Sequence, residues 1–419
     1  MDPAESSPSP PRKDTRSVAR FLVFQVISLF GDNALWVVLA VWVNELTGSA
    51  GLAGLIGFAI GVPMLFAPWM GLLVDRFHRK SILAGAQIAG AAAILLLLVV
   101  DRGTVWLIFV VAALLGAVSG IVSSAQSAIL RDLIGLNQNA LSWANGALRT
   151  AQQSLRIIAP PIGVTLYSQY GSAVTVWLDA ATFAVATAGL AWTRVPDHRH
   201  EATGTEDVLT GWTAGARFIR RTPVLFRLVV ASAWALIGLG LSSTLVFTLT
   251  SQNLHRDPSF VGYLEGAVGV GALLGAPFAS WHVNHAGSVA AMRGAIATVA
   301  AGFAVLFIPT VPAALVGMGI IGFGVPWSLI ALFLTVQTES PPYLQGRVYS
   351  TAQMATSVPQ TAAVALGAAI VPALGFRAAT ACIVISQLVA VGYLYLSGAP
   401  ARLRPFRRPV RTRSRPGTR

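Results

Sequence analysis

The chain has 419 residues, 55% hydrophobic and 11% charged, with a mean hydropathy of +0.68 and a formal net charge of +13. Soluble domains carry about 25% charged residues, so a chain with under half that share cannot hold most of its length against water. The positive excess does not point to nucleic acid: it crowds the first residues, the stretches between apolar runs and the last residues, with no basic surface interleaved with aromatics.

Met1 to Pro11 are polar and proline-rich, and residues 1–17 read as a disordered cytoplasmic arm with no cleavable leader. A crossing helix takes about 20 apolar residues. Such runs fall at 18–44, 52–74, 81–100, 104–129, 140–169 and 171–193, then at 223–251, 259–282, 288–309, 311–336, 346–371 and 373–397. Short polar or Gly/Pro turns separate them, among them Thr47-Gly48-Ser49, Asp101-Arg102-Gly103, Arg256-Asp257-Pro258 and Leu374-Gly375-Phe376. The expected fold is therefore an all-α membrane protein of twelve transmembrane helices.

The longest stretch between spans, 194–222, divides them into an N-terminal bundle, 18–193, and a C-terminal bundle, 223–397. Within it, Leu209, Trp212, Ala216 and Ile219 recur at helical spacing beside Arg217, Arg220 and Arg221. Two readings stand: an interfacial helix with its apolar face in the headgroups, or an ordinary linker. Residues 398–419 form a basic cytoplasmic tail. The single cysteine, Cys382, excludes an intramolecular disulfide and a thiolate metal cluster. His282 and His285 lack a visible third ligand, so no metal or cofactor is expected.

An even number of spans puts both termini on one side. Arg12, Lys13, Arg16, Arg20, Arg76, Arg79, Lys80, Arg131, the arginines of the central stretch, Arg293, Arg347 and the arginine-rich tail share that side. Only Arg102, Arg256 and Arg377 fall on the other. Basic loops stay in the cytoplasm, so both termini are expected there, in a multi-pass protein of the cell membrane.

The two sets of spans are weakly self-similar. Thr150-Ala151-Gln152 recurs as Thr351-Ala352-Gln353 in the corresponding span. Gly54, Gly57 and Gly61 in the second span answer to Gly262, Gly266 and Gly269 in the eighth. Small residues at such intervals let backbones approach closely in lipid.

A carboxylate at the bilayer centre costs roughly 2.5–3.5 kcal/mol on insertion scales, so an acid inside a span needs a cation, a wet cavity or a proton. Asp32, midway along the first span, is the sharpest case; Asp179 and Glu265 are further candidates for proton or substrate coupling. Arg156 lies too deep in the fifth span for easy snorkelling and needs an acidic partner, for which Asp32 is the candidate. Pro160-Pro161 interrupts the hydrogen-bond ladder of that span.

Gly71, Leu73, Asp75, Arg76, Arg79 and Lys80 match the loop motif Gly-x-Leu-Ala-Asp-Arg-x-Gly-Arg-Lys, with His78 where glycine is usual. This resembles the loop between the second and third helices of the major facilitator superfamily. The wider pattern is similar to its enterobactin-exporter-like and macrolide-efflux branch. It includes Phe30-Gly31-Asp32, Leu46 to Ala50, Trp143 to Arg149, Ala216 to Pro223 and Gly346-Arg347-Val348. The resemblance implies two pseudo-symmetric six-helix bundles, the major facilitator fold. It also implies a charge latch at Gly71, Asp75, Arg76, Arg79 and Lys80, with Asp75 facing the start of the eleventh helix near Gly346 and Arg347. Gly146, Pro160 and Gly163 partly match the fifth-helix motif of superfamily antiporters, although Leu155, Ala159 and Val164 replace three of its glycines. A central cavity lined by the first, fourth, seventh and tenth helices is implied too, with Trp36, Gln126, Trp234, Trp327 and Gln337 as candidate lining residues.

The expected function is export of a hydrophobic or amphipathic small molecule by proton antiport and alternating access. The expected partners are that molecule, protons and the lipid bilayer, in a monomer. An importer or uniporter, and a lipid flippase or non-transporting membrane protein, remain as alternatives. An enzyme is not expected, since no nucleophile–base pair converges at one depth.

Overall fold

The structure, a computed structural model, describes residues 15–66, 70, 78–134, 138–193, 205–341 and 344–397. Its helices are α1 (Thr15–Thr47), α2 (Ala50–Met64), α3 (Arg79–Leu95), α4 (Trp106–Ile134), α5 (Gln138–Tyr170), α6 (Ser172–Trp192), α7 (Thr205–Arg221), α8 (Pro223–Thr248), α9 (Val261–Ala286), α10 (Ser288–Val305), α11 (Val311–Glu339) and α12 (Gln345–Leu396). Among the described residues there is no strand.

Nine helices among the described residues are long and apolar enough to cross a membrane. The twelve expected crossings follow from three further features. The described part of α2 has 15 residues. The first half of α5 is polar. The 52-residue α12 is two crossing arms joined at Gly375, whose φ of 75° lies in the left-handed region that glycine alone enters freely. Local chemistry sets several boundaries. Ser49 Oγ accepts from the Leu52 N–H at 3.2 Å and starts α2. Thr310 Oγ1 does the same for Ala313 at 3.4 Å at the start of α11. Pro223 occupies the first turn of α8, where its missing N–H costs nothing. The backbone of α5 runs helically through Pro160 and Pro161.

The stretch between the two sets of spans holds a helix, α7, Thr205–Arg221. Ile219 is buried in a core with Leu225, Val348 and Ala352. A methyl group on Gly215 would come 2.6 Å from the Arg347 carbonyl. The helix is thus docked on the start of α12, with Arg217, Arg220 and Arg221 exposed.

Three apolar cores organise the chain. One, at the end away from the termini, is shared: it joins Val38–Val43 of α1, Ile56 of α2, Val164 and Tyr167 of α5 to Leu245 of α8, Leu264 of α9, Ile321 of α11 and Val371 of α12. At the end carrying the termini the core is split. Val18, Leu83, Ile129 and Leu190 hold the earlier helices together. Leu228, Met292, Leu332 and Leu394 hold the later ones. Among the described residues, the two sets of helices share one core at the far end and have separate cores at the near end.

Candidate functional site: a polar junction between the two sets of helices

Two glycine seams close the far end. Along α2, Gly51 lies against Ala368 and Pro372 of α12, Gly54 against Thr244 of α8, Gly57 against Val364 and Gly61 against Thr361. Along α9, Gly262 meets Val164 and Pro160 of α5, Gly266 meets Pro161, and Gly269 meets Ile157. A methyl group on Gly266 would sit 3.0 Å from Pro161 Cγ, so the helices approach as only glycine allows. Pro161 lacks the N–H that would bond the Ile157 carbonyl, and that carbonyl oxygen lies at the seam, 3.7 Å from where a methyl group on Gly266 would sit.

Arg156 precedes Ile157 at the near-end edge of this seam and is exposed, although it lies halfway along a crossing helix. Its electrostatic partner is Glu265 of α9, on the same face as the seam glycines. In this conformation the cation of one set faces the acid of the other, where Asp32 of its own set was the expected partner.

Asp32 interacts electrostatically with Asp179 of α6 instead. Asp179 is 1% exposed, and its Oδ1 accepts from Thr182 Oγ1 at 3.2 Å. Its Oδ2 is buried and has no hydrogen-bond partner among the described residues. The carboxyl packs against Gly31, where a side chain would collide with it. Two acids on neighbouring helices thus meet inside the earlier set.

Beside them is a buried amide network that the sequence reading missed apart from Gln126. Gln25 Oε1 accepts from Gln126 Nε2 at 2.8 Å and from Gln87 Nε2 at 3.3 Å, and Gln87 Oε1 accepts from Thr187 Oγ1 at 3.2 Å. It ties α1 to α3, α4 and α6. Lone glutamines inside apolar runs were the available signal. Gln126 is 4% exposed and belongs to this network.

The other expected lining residues scatter. Trp36 is 43% exposed, one turn beyond Asp32. Trp234 lies against the second arm of α12 and donates from Nε1 to the Ser386 carbonyl at 3.0 Å. Trp327 is 5% exposed and packs among Phe278, Phe323 and His282. Gln337 is exposed near the end of α11. His285 Nδ1 is 2.8 Å from the Trp281 carbonyl, on the same helix as His282.

Of the loop motif, Gly71, Asp75 and Arg76 lie outside the described residues. Arg79 pairs with Asp132 of α4 through both carboxylate oxygens, at 2.8 and 2.9 Å. Lys80 donates to the Ala191 and Thr193 carbonyls at 3.1 and 2.9 Å, a cation at the C-terminus of α6. Both therefore tie the earlier set to itself at the near end. Of the fifth-helix motif, Gly163 packs on Ala34 of α1 and Pro160 presents its carbonyl to Gly262, while Gly146 lies early in α5.

Comparison with known proteins follows this geometry. The family model described as Major Facilitator Superfamily matches residues 21–364. The multidrug efflux pump Tap of Mycolicibacterium fortuitum is 26% identical over 344 residues, 78% of this chain and 82% of that protein. Macrolide efflux protein A of Streptococcus pyogenes is 25% identical over 261 residues, 60% of this chain and 63% of that protein. Among solved structures, a bacterial homologue of the iron transporter ferroportin in an inward-facing state superposes with a TM-score of 0.72 at 14% identity, covering 92% of this chain and 99% of that one. The nucleoside transporter NupG gives 0.72 at 12% identity, covering 91% and 98%. At these identities the structural likeness concerns the fold alone.

Proposed function

Because this chain belongs to the Major Facilitator Superfamily, a family of membrane transporters rather than enzymes, we propose that it exports a hydrophobic or amphipathic small molecule from the cytoplasm in exchange for protons. The bundles 18–193 and 223–397 rock about the passage between them, and the stretch 194–222 links them. The termini lie in the cytoplasm, as the distribution of arginine requires. Each copy contains a whole passage and works as a monomer in the cell membrane.

The observation that carries this reading is the split core. The cores are joined at the far end and separate at the near end, so the passage opens toward the termini. With the termini in the cytoplasm, this is the pose that loads an exporter. Two relatives named as efflux pumps support the direction.

Rocking needs a charge event to drive it. Arg156 and Glu265 interact across the seam, and opening the far end must separate them. Asp32 and Asp179 repel each other as carboxylates, and a proton bound by the pair offsets that repulsion. A proton enters this pair from the far side, the bundles rock, and the proton leaves to the cytoplasm as the next substrate loads.

The test is transport in proteoliposomes under an imposed pH gradient, with a panel of amphipathic cationic and neutral drugs, comparing wild type with Asp32→Asn. Gradient-dependent transport of at least one compound, lost in the variant, is expected. Transport indifferent to the gradient sinks the proton antiport; no transport of any compound sinks the exporter.

A further inference from the structure

An apolar groove with a volume of about 630 Å3 runs between α9 and α11. α9 has two working faces. Gly262, Gly266 and Gly269 turn to α5, whereas Tyr263, Val270 and Leu274 lie on a separate face and are 51%, 53% and 65% exposed. Along the groove, Gly271 brings the α9 backbone onto the Gly319 carbonyl of α11. Val316, 57% exposed, forms the facing wall. Thr298 of α10 also borders the groove, and the principal neighbours of α10 all belong to the later bundle. The groove therefore opens onto the membrane and not onto the passage.

Its length and position limit what fills it. Tyr263 lies two residues into α9, at the far end. From there to Leu274 is about 16 Å at ~1.5 Å per residue, roughly half of a ~30 Å hydrocarbon core. The groove thus spans one leaflet. Almost no polar surface lines it, so a water-soluble ligand finds no partner there and a hydrocarbon chain does. At its mouth, Phe260 borders the groove, and the connection just before it carries the exposed cation Arg256.

We infer that this groove binds one acyl chain of an anionic phospholipid from the far-side leaflet, with Arg256 holding the headgroup. The site is independent of what the passage carries and in which direction.

Native mass spectrometry and thermal unfolding of the purified protein test it, with phosphatidylglycerol and phosphatidylcholine as probes. Gly319→Leu fills the groove: a Cβ at Gly319 has no neighbour nearer than 3.7 Å, so the helix contact survives. Val316→Trp obstructs the same space from the wall and serves if the first variant does not fold. Wild type should retain a phosphatidylglycerol adduct through activation that strips other lipid. Its unfolding midpoint should rise more with phosphatidylglycerol than with phosphatidylcholine. The groove-filling variant should lose both effects with its lipid-free midpoint unchanged. Arg256→Gln should keep the adduct and lose the headgroup preference. Equal retention by wild type and the groove-filling variant overturns the proposal, as does equal response of wild type to the two lipids.

Discussion

The two ends of the molecule are held by different physics. At the far end, contacts between the bundles are backbone-to-side-chain approaches at glycine, with a continuous apolar core behind them. At the near end, Arg79–Asp132 and the Lys80 bonds join helices within one bundle, and the cores stay apart. Glycine contacts in lipid are short-ranged and, having no hydrophobic drive, separate at modest cost. The difference teaches where the molecule is built to come apart: along the seams, while each bundle stays intact.

The largest expected effect comes from spoiling a seam. Gly54→Leu and Gly269→Leu place a side chain where Thr244 or Ile157 already stands. Neither far-end contact can then close, and transport should fall to background while the protein still folds. Cysteine labelling of far-end positions should rise in parallel; unchanged labelling and transport would contradict the seams as a gate. Next is the charge junction. Arg156→Glu or Glu265→Arg alone should abolish transport, and the double exchange should restore part of it; no recovery would argue against direct coupling. Third, Arg79→Gln should destabilise the near end by about 1–3 kcal/mol, between an exposed and a buried pair, since the two side chains are 15% and 7% exposed. Thermal unfolding measures this, and the far-end labelling pattern should not change.

The smallest effect lies in the far-end connection after α3. Asp101 Oδ1 accepts from Thr104 Oγ1 and from the Gly103 and Thr104 N–H groups. These bonds, the Thr104 hydroxyl first, hold its carboxyl below the usual carboxylate range. Their contribution is present above the ordinary carboxylate pKa and is lost as pH falls through the depressed value. Asp101→Asn should leave transport unchanged and remove that acid-side loss from the thermal profile; a transport defect would give this connection a role in gating.

Much of the fold was legible because lipid imposes one rule that sequence reports directly: long apolar runs broken by Gly, Pro and charge. The break at Gly375 and the separate helix before Pro223 were visible in this way. So were Gly54, Gly57, Gly61, Gly262, Gly266 and Gly269, although not that both sets face the opposite bundle. Direction around a helix was not legible. Depth alone made Asp32 the candidate to face Arg156, whereas the packing of α5 on α9 brings Glu265 to it. Aromatic residues misled for a related reason. In water, burial distinguishes an apolar side chain; in lipid, Trp327 in a core and Trp234 on a flank have the same composition around them. Asp132 was missed because an acid near a helix end reads as ordinary surface.

The single glycine that joins the arms of α12 leaves no slack between them. The first arm carries Thr361, Val364 and Ala368 into the α2 seam, and the second shows Ile385, Leu388 and Val389 to the acyl chains. A tilt of the sealing arm is passed on to a lipid-bathed neighbour with no loop to absorb it. Bilayer thickness and lateral pressure then act as mechanical loads on the transport cycle, and the host membrane helps to set its speed.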